Sequence, residues 1–278
     1  MSESVMPTYL LGFSEQEHQR LMVQSQLYDQ ITERAFVGAG IGPGMRVLDC
    51  GSGAGDVSLL AARLVGPTGS VLGVDQSPDS VARATARVDA LGVTNVSFRM
   101  ANLTALALEE RFDAIVGRFI VLYLPERDRT MAQIVSHLVP GGVACFCEYD
   151  MSVSRTVPPT RLIHETMDRV IRAADGAGFD SQMGARLPGL LRRAGLEDVE
   201  AYGMTKLVDG VGSPVVDWIV DTVRNLAPLA ARYGLVATEE WGLDTLRERL
   251  HGELAAANAI VEVPLVVGAH GRMPRSAS

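Results

Sequence analysis

The chain is almost without lysine. Lys206 is the only one among 25 basic side chains, which face 33 acidic ones and leave a formal net charge of −8. No basic run or stripe interrupts this balance, so the electrostatic footprint that a phosphate backbone requires is missing, and no nucleic-acid partner is expected. Cysteine is scarce too. Cys50, Cys145 and Cys147 are too few and wrongly placed for a disulfide framework. Each lies in an apolar run, where cysteine packs as a small apolar side chain. No apolar run is long enough to cross a bilayer, and no cationic stretch followed by an apolar one opens the chain. A reduced, cytoplasmic protein without a membrane partner is expected. His18, His137, His164, His251 and His270 show no ligand spacing of the H-x-x-x-H kind, so no metal is expected either. No internal repeat or low-complexity segment is present.

What the chain does have is a hydrophobic fraction of 47 %, ample for one large core. It also has a regular rhythm. Apolar runs at 45–50, 71–75, 95–100, 112–117 and 143–149 alternate with helical patterns at 56–65, 77–92 and 128–138. This alternation predicts an α/β fold with a parallel sheet and helices on both faces. Ligands of such sheets sit at the carboxyl ends of the strands. The first strand runs into V47-L-D-C-G-S-G-A-G-D56. Glycines there permit positive φ and remove Cβ atoms that would keep a ligand off the backbone. The helix that follows aims its free N–H groups at the same place. The second strand, V71-L-G-V-D75, ends in an acid. Both hydroxyls of a ribose can donate to one such carboxylate. A nucleoside-bearing cofactor is therefore expected. The nicotinamide fingerprint G-x-G-x-x-G/A is broken at its sixth position by Asp56.

D49-C-G-S-G-A-G55 resembles motif I of the class I S-adenosylmethionine (SAM) methyltransferases, commonly D/E-x-G-x-G-x-G. Further landmarks follow in order: N95-V-S-F-R-M-A-N102, F112-D-A-I-V-G-R118, and L138-V-P-G-G142 leading into V-A-C-F-C-E148. The resemblance covers about residues 36–150, and is nearest to the bacterial small-molecule enzymes related to the ubiquinone/menaquinone-biosynthesis methyltransferases. It implies a Rossmann-like, seven-stranded, mostly parallel sheet with an antiparallel last strand, an N-terminal helical lid over 1–40, and a catalytic domain over 41–278. Helical insertions are expected after strands 5 and 6, at about 155–195 and 213–258; within the second, Ser213 would cap a helix over 213–234, another helix would cover 238–258, and the last strand would follow at 261–270. SAM is the implied cofactor and a small molecule the implied substrate. A homodimer is compatible with this reading.

The resemblance also assigns residues. Asp49, Gly51, Ser52, Gly53 and Gly55 would form the cofactor turn. Asp75 would take the ribose, with Gln76 beside it. Asn102 stands where the family commonly has an aspartate that accepts from the adenine amino group; its carbonyl can still accept, with Leu103 next to it. Arg118, after strand 4, suits either a substrate carboxylate or phosphate, or a structural pairing with Glu148 or Asp49. Glu148 leaves strand 5 at the catalytic edge as a candidate base or orienting acceptor. His164 is the one histidine considered near the substrate. Tyr9 and Gln24 would approach the methionine carboxylate from the lid helix, which Ser14 and Glu17 would cap. Trp218, Phe179, Met183 and Met167 suit an apolar pocket or the insertions' own core. No N/D-P-P-Y/F tetrapeptide and no Pro-Cys dipeptide appears, which removes two specialised methyl-transfer chemistries. The rival readings are an NAD(P)-dependent oxidoreductase and a non-catalytic SAM-binding protein.

Overall fold

A computed structural model describes residues 15–275, with side chains at Gln24, Ser25 and from Leu27 onward. Tyr9 and the expected cap by Ser14 and Glu17 lie outside the described residues. The first helix, α1, is described over Glu15–Gly38.

The chain divides into two compact units. The larger unit comprises residues 28–150, 182–204 and 265 onward. Its elements are β1 (Arg46–Cys50), α2 (Asp56–Val65), β2 (Ser70–Asp75), α3 (Pro78–Ala90), β3 (Val96–Met100), β4 (Phe112–Arg118), α4 (Arg127–Val135), β5 (Leu138–Asp150), α6 (Met183–Arg193), β7 (Glu197–Met204) and β10 (Leu265–Arg272). The strands form one seven-stranded sheet in the order β3-β2-β1-β4-β5-β10-β7. β10 runs antiparallel to both of its neighbours, while β1–β5 pair in parallel. This is the expected sheet, including its reversed last strand. Val47, Leu48, Ala114, Ile115 and Val116 are fully buried, as central parallel strands covered on both faces must be. β7 at the margin is mostly exposed.

Small residues set the distance at which α1 rests on this sheet. A Cβ added to Gly268 on β10 would lie 2.6 Å from the Cβ of Ala35. Gly268→Val is therefore expected to lower stability by about 1–3 kcal/mol, the usual cost of overpacking. Chemical denaturation checks this, and an unchanged midpoint would mean that α1 yields freely.

The smaller unit comprises residues up to Leu27, 151–181 and 205–264. It holds β6 (Arg155–Val157), α5 (Arg161–Gly176), β8 (Leu207–Asp209), α7 (Val215–Arg232), α8 (Thr238–Trp241), α9 (Leu243–Ala257) and β9 (Ile260–Glu262). A three-stranded antiparallel sheet, β6-β9-β8, accompanies the helices. Met167 and Trp218 are buried in the packing of α5, α7 and α9. Thr160 gives α5 no side-chain cap. The Glu253 carboxylate of α9 instead accepts from the N–H groups of Arg161 and Leu162 at 3.0 and 2.9 Å, placing negative charge at a positive helix end.

Within 155–195, α5 belongs to the smaller unit, while α6, with the buried Met183, packs on β5 and β10 in the larger one. Several expectations are corrected here. The single strand expected at 261–270 breaks at Val263–Pro264, where proline lacks the N–H a ladder needs, and its two halves join different sheets. The helix expected at 238–258 breaks at Gly242, whose φ is 56°. Ser213 does not cap α7: Pro214 takes the capping position, and the Ser213 Oγ is buried without a partner. Within α1 the chain passes from the smaller unit to the larger between Leu27 and Tyr28.

Candidate functional site

The carboxyl ends of β1, β2, β4 and β5 gather most of the residues singled out from the sequence. After Cys50 the chain turns at once. The N–H groups of Gly51 and Ser52 both donate to the Val74 carbonyl of β2, at 2.8 and 3.0 Å. Gly51, Gly53 and Gly55 all have positive φ, at 72°, 50° and 85°, which side chains with a Cβ adopt only at a cost. Gly55 ends the turn as the residue before α2. Asp56 opens that helix, and Arg87 of α3 holds it at 2.7 Å while also donating to the Ala54 carbonyl. The acid at the sixth motif position thus has a structural partner.

Asp75 bridges the turn to the next helix. Its Oδ2 accepts from Gly53 N at 3.0 Å and its Oδ1 from Ser77 N at 2.9 Å. Ser77 in turn caps α3 through Ser80 N. Burial raises the Asp75 pKa against the pull of these N–H donors. Each carboxylate oxygen carries a second lone pair, so the pair can still accept from a vicinal diol. Asp49 is fully buried. Its Oδ2 accepts from Ser58 Oγ at 2.5 Å, and its Oδ1 has no partner. Burial pushes its pKa up to about 7, opposed by the Ser58 hydroxyl and the Arg118 charge. The Ser52 Oγ is likewise buried and unpartnered. Unpaired buried polar atoms are uncommon in folded proteins and call for an explanation. Gln76 is exposed beside Asp75, and Leu103 is buried.

At the end of β3, Asn102 is exposed. Its Oδ1 accepts from both the N–H and the hydroxyl of Thr104, each at 2.9 Å. Arg118 ends β4, and its charge acts on Asp49. Its guanidinium, only 4 % exposed, donates to Asp29 at 2.7 Å and to Thr32 at 3.1 Å, both on α1. Glu148 is fully buried, and its Oε1 accepts from Ile120 N and Val121 N at 2.8 and 2.6 Å. Burial pushes its pKa up to about 8, against the opposing N–H donors and the Arg127 charge. Its Oε2 is buried without a partner.

An aromatic cluster at the same edge had no sequence signal beyond its members' types. Phe119 stacks on Tyr149 with ring centroids 3.7 Å apart, and Tyr28 meets both edge-on at 5.4 Å. Phe119 holds a φ of 54°, a strained value for a bulky side chain. Its N–H donates to the Cys147 carbonyl at 2.9 Å. Gln24 is buried on the part of α1 that belongs to the smaller unit. His164 also belongs to that unit, where its Nδ1 donates to the Thr160 carbonyl at 2.5 Å; it is not among the residues the sheet brings together. His137 is buried, accepting from Leu108 N and facing the Gln133 carbonyl. Among the described residues, no three His, Cys, Asp or Glu side chains are grouped to hold a metal. Among them too, no helix is long and apolar enough to cross a membrane.

The methyltransferase domain family matches residues 41–194, more than half of the chain and the stretch that holds this turn, Asp75, Arg118 and Glu148. The chain belongs to that family. Its sheet order and reversed last strand are those of a class I SAM-dependent methyltransferase. An arsenite methyltransferase from Halobacterium salinarum is 32 % identical over 163 residues, which is 58 % of this chain and 40 % of that protein. A ubiquinone/menaquinone biosynthesis C-methyltransferase from Vibrio campbellii is 26 % identical over 182 residues, 60 % of this chain and 70 % of that one. The chain thus spans well under half the length of the arsenite enzyme. In fold it resembles a SAM-dependent methyltransferase from Aquifex aeolicus, with a TM-score of 0.55 and 14 % identity, covering 94 % of this chain and all of the other.

SAM is the methyl donor of this family, and the residues present fit it. The glycine turn admits a ligand against the backbone, and nothing lies within 4 Å of a Cβ built on Gly53. Asp75 has acceptor capacity for two ribose hydroxyls. The unpartnered Asp49 Oδ1 and Ser52 Oγ supply polar atoms at the same turn.

Proposed function

We propose that this chain transfers the methyl group of SAM to a carbon, oxygen or nitrogen of a small, mostly apolar molecule, in biosynthetic or specialised metabolism. The observation that carries the reading is the glycine turn bridged by Asp75 to α3, with buried acceptors left open beside it. When bound, SAM supplies an electrophilic methyl group on a sulfonium. The protein's part is to hold and to exclude. Asp75 would take the ribose and Gly51–Gly55 would lie against the nucleoside and amino-acid portions. The packed aromatics Phe119, Tyr149 and Tyr28 support an apolar acceptor and a dry edge. Such positioning supplies on the order of 7–11 kcal/mol toward a displacement in line.

Arsenite is a weaker reading of the acceptor, although a relative carries that name. Trivalent arsenic binds thiolates, and all three cysteines of this chain are fully buried on strands. Burial and the neighbouring Asp49 raise the Cys50 pKa; the Cys147 hydrogen bond and burial raise that of Cys145. None is poised as an exposed thiolate. Calorimetry is expected to show one SAH (S-adenosylhomocysteine) site per chain, and arsenite is expected to give no SAH formation above background. Failure of SAH to bind would sink the methyltransferase reading, and methylated arsenic among the products would sink the choice of acceptor.

A further inference from the structure

The β4–α4 connection lies over the cofactor turn, and a side chain from another strand holds it there. Ile120 packs directly on Gly51: a Cβ built on that glycine would sit 2.6 Å from both Ile120 Cδ1 and Cγ1. Ile120 also covers Gly117, where a built Cβ would lie 2.9 Å from its Cγ2. The backbone beneath Ile120 is irregular. Phe119 has its strained positive φ, and the chain tightens at once into the 3₁₀ turn Val121–Tyr123. Such a segment has no ladder of its own to fix it, so its N–H groups need other acceptors. Phe119 N finds the Cys147 carbonyl, while Ile120 N and Val121 N share one oxygen of Glu148. Arg127, next along the chain, donates to the carbonyls of Val121 and Leu122 and closes the turn from the other side.

We infer that Glu148 is a positioning residue, whose buried carboxyl fixes residues 119–121 so that Ile120 braces the glycine turn that binds the cofactor. The inference rests on the methyltransferase reading of that turn. It gives Glu148 a role different from proton transfer. The oxygen facing the loop already accepts two N–H bonds, and its distances of 2.8 and 2.6 Å are those of a made contact. The second oxygen is buried with no partner. What the loop needs from position 148 is a carbonyl-type acceptor at Oε1, and an amide supplies that as well as a carboxyl. A base would need the carboxylate itself. The two roles therefore separate at glutamine. The brace also links the two halves of the site: a side chain at the end of β5, on the acceptor side, sets the shape of the turn after β1.

The test compares the wild-type chain with Glu148→Gln, Glu148→Ala and Ile120→Ala, reading SAH affinity by calorimetry and amide hydrogen exchange of residues 119–123 by mass spectrometry. Glu148→Gln is expected to bind SAH within about threefold of wild type and to keep the loop protected. Glu148→Ala is expected to lose about tenfold or more in affinity, the factor of one well-placed contact, with faster exchange at 119–123 while β1 and β4 stay protected. A purely structural role would instead lower protection across the sheet. Ile120→Ala leaves the carboxyl in place and is expected to weaken SAH binding without freeing the loop, which keeps the test open if Glu148→Ala does not fold. SAH affinity unchanged in Glu148→Ala or in Ile120→Ala overturns the inference. So does a glutamine variant as weak as alanine. Absence of SAH binding to the wild-type chain is a different failure, that of the methyltransferase reading.

Discussion

Asp75→Ala is expected to weaken SAH binding by roughly 10²–10³-fold, because two hydrogen bonds to a charged acceptor are lost, each of about 1.5–3 kcal/mol with part recovered by water. The structure adds a second loss. The same carboxylate holds Gly53 N at 3.0 Å and Ser77 N at 2.9 Å, so alanine releases the turn as well as the ribose. Asp75→Asn separates the two effects. The amide keeps one acceptor oxygen but puts an NH₂ where the other faced an N–H, so an intermediate affinity is expected. Calorimetry on the purified variants, with circular dichroism to confirm folding, reads both. An alanine variant that binds SAH as tightly as wild type would remove the ribose assignment.

The ligand-free protein is expected to lose stability steadily as pH rises from about 4 to about 8. Two buried carboxyls set this slope. Asp49 goes from its ordinary 3.8 to about 7, and Glu148 from 4.5 to about 8, both through burial. In each case the folded pKa lies above the unfolded one, so the native state keeps a proton that the unfolded chain gives up. Their stabilisation is complete below the unfolded values and is lost as pH climbs through the folded ones. The change is of the order of a few kcal/mol for each group, since every tenfold difference in proton affinity is worth about 1.36 kcal/mol. The charged groups acting on them are Arg118, Asp75 and Asp56 for Asp49, and Arg127 for Glu148. Urea midpoints measured from about pH 4.5 to about pH 8.5, the window in which these groups titrate, check the slope. Asp49→Asn and Glu148→Gln should each flatten it, because neither amide titrates. A wild-type midpoint that rises across this window would show that these carboxyls are ionised and solvated in the native state.

Much of the sheet was readable because its signals are local. The strand-turn-helix at V47–V57, the acid ending β2 and the Ser77 cap each lie within a few residues of what they explain. The breaks that the periodicity ran through were also written locally, in Pro264 and Gly242, but a proline or glycine is compatible with both a pause and an end. The pairings were not readable. Arg118 meets Asp29 across 89 residues of sequence, and either Glu148 or Asp49 would have answered its charge equally well. Asn102 shows the same difficulty at short range. Its type suits adenine, and nothing in the sequence announces that its carbonyl also meets Thr104, two residues on. The division of the later helices depends on which face of α6 finds β5 and β10, and an amphipathic pattern names the face without naming its partner.

The place of β10 has a consequence for how the chain comes off the ribosome. It is made after the other six strands of this sheet, yet it lies between β5 and β7. Strands β1 to β5 can pair as they emerge, but β7 has no neighbour in this sheet until residues 265–272 are out. The stretch from Thr205 to Pro264 is made in the interval, which at usual rates of synthesis lasts on the order of 3–12 s. Through that time β5 presents an uncovered edge whose residues 143–150 are buried in the finished protein. Such an edge is a template for pairing with another chain. Any message truncated between β7 and β10 would leave that edge open for good.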